Sequence, residues 1–134
     1  MSYATQSSSY REMEIQAASP HKLVVIVFEQ LVVNLERARI AMERKDIELR
    51  VVALRRARDL VTELLATLDV EKGGVLAQRL ADLYQFMLYE LVDIGQRGDV
   101  VSMRKLVSIA MQLREGFVGA AQQLSTDKVQ RKTA

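Results

Sequence analysis

Apolar residues recur every three to four positions along most of this chain, in four blocks separated by short polar or glycine-containing breaks. In the first block Val24, Val27, Phe28, Leu31, Leu35, Ala38 and Met42 share one helical face. Ser19 suits an N-cap, and Pro20 suits the first helical position, where its missing N–H is not needed. The spacing predicts a helix from there to about Lys45. The run LVVIVF inside it is rich in β-branched residues and reads locally as a strand. The helical period that continues after it decides for helix, since local propensity is a weak vote.

Asp46 can cap a second helix carrying Leu49, Ala53, Ala57, Leu60, Leu64 and Leu68, which should stop near Asp69. Gly73 and Gly74 then read as a helix terminator and turn. A third helix carries Leu76, Leu80, Leu83, Tyr84, Met87, Leu91 and Ile94 and should stop near Gly98. Asp99 can cap the fourth, with Met103, Leu106, Ala110, Leu113, Phe117 and Leu124 as its stripe. Four helices of about 20–26 residues are each roughly 30–40 Å long. Joined by short links, they predict an all-α fold, an antiparallel four-helix bundle. Its bounds are residues 19–125, between a flexible N-terminal arm (1–18, with Tyr3, Tyr10, Met13 and Ile15) and a disordered basic tail (126–134, with Lys128, Arg131 and Lys132).

A bundle helix needs one apolar stripe roughly 100° wide. The first helix has a second set, Val25, Ile26, Val32, Val33 and Ile40, punctuated by Glu29 and Glu36. The second helix also has one: Ile47, Val51, Leu54, Val61 and Leu65. On the third, Phe86 and Tyr89 point away from the core stripe. Single exposed apolar side chains mean little, but contiguous apolar area is uncommon on a monomer. The expectation is therefore a groove that receives a partner helix, lined by Val25, Ile26, Val32, Val33, Ile40, Val51, Leu54, Val61, Leu65 and Phe86. A self-associating structural bundle that buries the same surface is the competing reading.

Composition narrows the function. The 134 residues suit one domain, and 49% hydrophobic with 27% charged residues lets the chain both fold and stay soluble. The absence of cysteine removes disulfides and thiol chemistry. The N-terminus lacks a basic region followed by an apolar one, and no run approaches the roughly 20 apolar residues of a membrane span, so a cytoplasmic protein without membrane insertion is expected. A net charge of +2 does not imply nucleic acid. Arg55, Arg56 and Arg58, with Arg50 nearby, read as a solvated face paired with Asp59 and Glu63. His21, the one histidine, reads as a solvated side chain in the first helical turn. The carboxylates show no metal-ligand spacing, and Gly73-Gly74 lies in no phosphate-binding motif. No catalytic group, cofactor or metal is expected.

The chain also resembles a known family, the flagellar secretion chaperones of the FliS type. The resemblance begins at Ala18-Ser19-Pro20, Lys22-Leu23 and Val27-Phe28, and continues through Ala38, Ala41-Met42 and Asp46. It is clearest at Leu64 and Leu68-Asp69-Val70-Glu71-Lys72-Gly73-Gly74, similar to the family's Leu-Asp-x-Glu-x-Gly-Gly connection. Leu80, Leu83-Tyr84-Gln85-Phe86-Met87 and Leu113-Arg114 follow, so about residues 10–120 are covered. Two departures stand out. Phe28 replaces the family's usual tyrosine, and Phe117 stands where a tryptophan commonly follows Leu-Arg. The resemblance implies a small helical bundle, with no enzymatic activity, that binds the C-terminal segment of flagellin one to one in the bacterial cytosol and prevents early polymerisation. It further implies docking of the loaded chaperone on the cytoplasmic domain of the export gate protein FlhA, with Tyr10 the closest match to the arm tyrosine involved and Ile15 beside it. It leaves open a homodimer of the free protein.

Overall fold

The computed structural model describes residues 20–133, with side chains from Lys22 to Ala120 and at Gln122 and Gln123. Among the described residues four helices follow one another: α1 (Pro20–Arg44), α2 (Ile47–Thr67), α3 (Val70–Arg97) and α4 (Val100–Thr133). Each connection is two residues long, which leaves consecutive long helices no choice but to run antiparallel. Cross-links near one end agree. Arg104 at the start of α4 pairs with Glu43 at the end of α1, and Arg50 at the start of α2 donates to the Gly95 carbonyl near the end of α3. The helices form a square in which α1 packs broadly on α2 and α4, α2 packs on α3, and, of these neighbouring pairs, α3 and α4 touch least. The all-α bundle expected from the spacing is the fold observed.

The connections follow from capping chemistry. α1 ends in a Schellman motif: the Asp46 N–H donates to the Ala41 carbonyl at 2.9 Å and the Lys45 N–H to Met42 at 3.3 Å. Lys45 takes the left-handed position (φ 58°) that glycine more often fills. Asp46 then caps α2 by accepting from the Leu49 N–H at 3.1 Å, and Asp69 caps α3 through Lys72 in the same way. Gly98, at φ 69°, ends α3. Asp99 opens α4 by accepting from the Ser102 N–H and hydroxyl, bonds that hold its carboxyl below the usual range.

The glycine pair sits one turn later than the sequence suggests. α2 has already stopped at Thr67, and Val70–Gly73 form a separate turn before Gly74 breaks the helical path. At φ 59° and ψ −138° the Gly74 backbone suits glycine alone, and α3 proper begins at Val75. The backbone of α4 remains helical through Thr133, into the segment for which the sequence suggests a tail.

The core draws on all four helices. Phe28, Leu31 and Leu35 of α1 meet Ala57, Leu60 and Leu64 of α2, Tyr84, Met87, Leu91 and Ile94 of α3, and Met103, Leu106 and Ala110 of α4. Away from the connection that links α1 to α2, Phe28 stacks on Phe117 with centroids 5.1 Å apart and meets Tyr84 at 6.2 Å. The two positions that depart from the family pattern thus touch each other. Burial pushes the Tyr84 phenol up to about 12.

Candidate partner-binding surface

The core accounts for part of the apolar surplus. Val32, Leu54 and Val61 are buried, which corrects the expectation that they line an open groove. The reason is the square packing: α1 lies between α2 and α4, and α2 between α1 and α3, so each buries an arc wider than one stripe. Leu54 shows the effect. A Cβ on Gly95 would come within 3.2 Å of its δ-methyl, so the glycine lets α3 approach and close over it. Core stripes of the sequence reading fail in the opposite sense at Leu49 and Leu76, which are exposed. Leu76 lies near the start of α3, next to the early stop of α2.

What remains is still substantial. Val33, Val51 and Phe86 are each nearly half exposed, and Val25, Ile26, Ile40 and Leu65 are partly buried. Ile47 and Tyr89, which the sequence already sets apart from the core stripes, are exposed, and so are Val52, Val75, Leu76, Val92 and Val101, which sequence reasoning left out of its groove. Val92 was legible in principle, as it follows Leu88 by four residues and precedes Gly95 by three. Tyr10 and Ile15 lie outside the described residues.

Position along the helices groups these side chains. Ile47, Val51 and Leu54 follow one line along α2 at intervals of four and three. Leu88, Val92 and Gly95 do the same along α3. The lines meet where Leu54 touches Gly95. The α2–α3 flank is therefore an apolar strip whose inner members are sealed, while Ile47 (71% exposed), Val51 (48%) and Val92 (43%) remain open. On the outer face of α1, Ile26, Val33 and Ile40 repeat at intervals of seven.

Charged groups mostly serve the surface. Arg39 bridges Glu36 (2.7 Å) and Glu43 (3.1 Å), and Glu43 also accepts from Arg104 across to α4. That hydrogen bond, with the nearby Arg39 charge, holds the Glu43 carboxyl below the usual carboxylate range. Arg97 pairs with Asp93. The pairs expected between the arginines of α2 and Asp59 or Glu63 do not form. Among the described residues Arg56 reaches only the Gln30 amide oxygen, at 3.5 Å. Among the described residues no three carboxylates or histidines converge as metal ligands, and no helix is long and apolar enough to cross a membrane.

Fold and surface together define a helical bundle with an open apolar flank and a surface network of charges. Residues 1–124 match the family model described as flagellar protein FliS, and the chain belongs to the FliS family. It is 31% identical to a flagellar secretion chaperone FliS of Salmonella typhimurium over 107 residues, 79% of either chain. A flagellar secretion chaperone FliSB of Pseudomonas aeruginosa is 29% identical over 81% of this chain and 86% of its own length. One from Campylobacter jejuni is 30% identical over 82% and 86%.

Proposed function

We propose that this chain is a cytosolic export chaperone that holds the helical C-terminal segment of flagellin and delivers it to the export gate. The observation that carries the reading is the open strip of Ile47, Val51 and Val92 on a chain of the FliS family. A flagellin terminus forms an amphipathic helix that packs on its copies in the filament, and unpaired it would aggregate. A chaperone needs only to offer substitute apolar surface and then release it. Val25, Ile26, Val33, Ile40, Leu65 and Phe86 extend the surface available to a client that wraps the bundle. Binding of this kind needs no bond-making chemistry, so the protein acts as a binding partner and not as an enzyme. Docking on the cytoplasmic domain of FlhA falls to the arm, through Tyr10 and Ile15.

Calorimetry with the C-terminal segment of the flagellin encoded in the same genome tests this directly. A one-to-one complex with a negative heat-capacity change is expected, because apolar surface leaves water. No heat at micromolar concentrations would remove the proposal. The seven-residue spacing of Ile26, Val33 and Ile40 favours a second reading, a homodimer through α1. Light scattering across a dilution series separates the two, since an obligate dimer would persist at every concentration.

A further inference from the structure

Arg58 has an unusual position for a charge with no ion-pair partner among the described residues. It lies on α2 seven residues after Val51 and seven before Leu65, within the line of the apolar strip and not at its edge. Leu54 and Val61, at i−4 and i+3, are buried beside it, and Arg58 itself is partly buried. It makes no ion pair with any described residue, nor does the exposed Arg55 one turn before it. Leu54 beside Gly95 sets the antiparallel register, which brings Val92 of α3 to about the level of Arg58.

A helix laid along this strip would cover the Arg58 guanidinium together with its apolar neighbours. Covering a cation without a partner is strongly unfavourable, so whatever binds well must bring an acceptor to that point. The planar fork of a guanidinium matches a carboxylate through two parallel hydrogen bonds. A nucleic-acid strand suits the place less. The open neighbours along the line are Ile47 and Val51, and a strand-binding groove wants interleaved aromatics and a longer basic track.

Resting on the client reading above, we infer that Arg58 sets the register of the client helix on α2. It selects a segment with an Asp or Glu inside the apolar stripe and apolar residues about two turns (roughly 10 Å) to either side, to meet Val51 and Leu65. Arg55, exposed at the edge, steers acidic clients during approach.

Dissociation constants of the full chain with the flagellin C-terminal segment test this, for the wild type, Arg58→Gln, Arg58→Lys, Arg58→Glu and Arg55→Glu. Loss of one charge-assisted contact corresponds to roughly ten- to hundredfold weaker binding for Arg58→Gln. Arg58→Lys should recover part of that, and Arg58→Glu should be weakest. Reversing the client carboxylate to Arg should restore binding to Arg58→Glu. Arg55→Glu should slow association at low salt and matter little at high salt. Circular dichroism checks the fold of each variant, and if Arg58→Glu does not fold, the Gln and Lys variants read the same contact. Wild-type affinity in Arg58→Gln, alongside lost binding in Val51→Asp, overturns the inference and leaves the client reading intact. A wild-type chain that does not bind the segment overturns both. Tight, arginine-dependent binding of a labelled single-stranded oligonucleotide in place of the segment also overturns the inference.

Discussion

Val51→Asp should leave the bundle folded and abolish client binding, whereas Leu54→Asp, three residues on, should unfold it. The two positions belong to one apolar line, and only the packing of α3 separates them. Leu54 is 6% exposed and presses on Gly95. Deleting a buried leucine costs about 2–5 kcal/mol, and a carboxylate left there without a partner adds more. Against a total stability of about 5–15 kcal/mol, the sum is enough to empty the native state. Val51 is nearly half exposed, so an aspartate there stays in water and should cost under about 1 kcal/mol. In the complex the same carboxylate would be covered by apolar client surface, and the association should fall below detection. Thermal melts by circular dichroism with calorimetry on the same samples read both outcomes. A folded Leu54→Asp would mean that the α2–α3 contact opens readily.

Phe28→Ala should give the largest loss among single truncations in the aromatic cluster. Phe28 is fully buried, stacks on Phe117 of α4 and tilts against Tyr84 of α3. Removing a buried phenylalanine costs about 3–5 kcal/mol, and each aromatic pair is worth about 0.5–1.5 kcal/mol beyond area. At this chain length the melting temperature should fall by roughly 10–20 °C. Hydrogen exchange should speed first in α3 and α4 around Tyr84 and Phe117, because these two have the least contact of the neighbouring helices and share Phe28 as an intermediary. A drop of only a few degrees would show that the cluster is loosely packed.

The fold was legible in the sequence because helical periodicity and capping agree at two of the three junctions. Asp46, Gly98 and Asp99 each do what their residue type suggests. Gly73-Gly74 was harder. Glycine signals a break, but not whether the break ends one helix or splits the next, and Asp69 settled that by capping a turn of its own. The candidate surface was half legible. A helical wheel shows which side chains leave the main stripe. It does not show how many neighbours a helix has, and that number decided Val32, Leu54 and Val61. The exposure of Val75 and Leu76 follows from where α2 stops, a property of two helices together. The pairing of the α2 arginines failed for a related reason. Spacing of four allows Arg55 to reach Asp59, but exposed pairs gain so little that the side chains have small cause to meet.

Methyl NMR of Ile, Leu and Val side chains, recorded before and after adding the flagellin C-terminal segment, tests most directly whether the α2–α3 flank shelters a client. The expected result is large shifts at Ile47, Val51 and Val92, with little change at Leu35 and Leu60 in the core. Tight binding that moves none of those three and perturbs only methyls of α4 would contradict it.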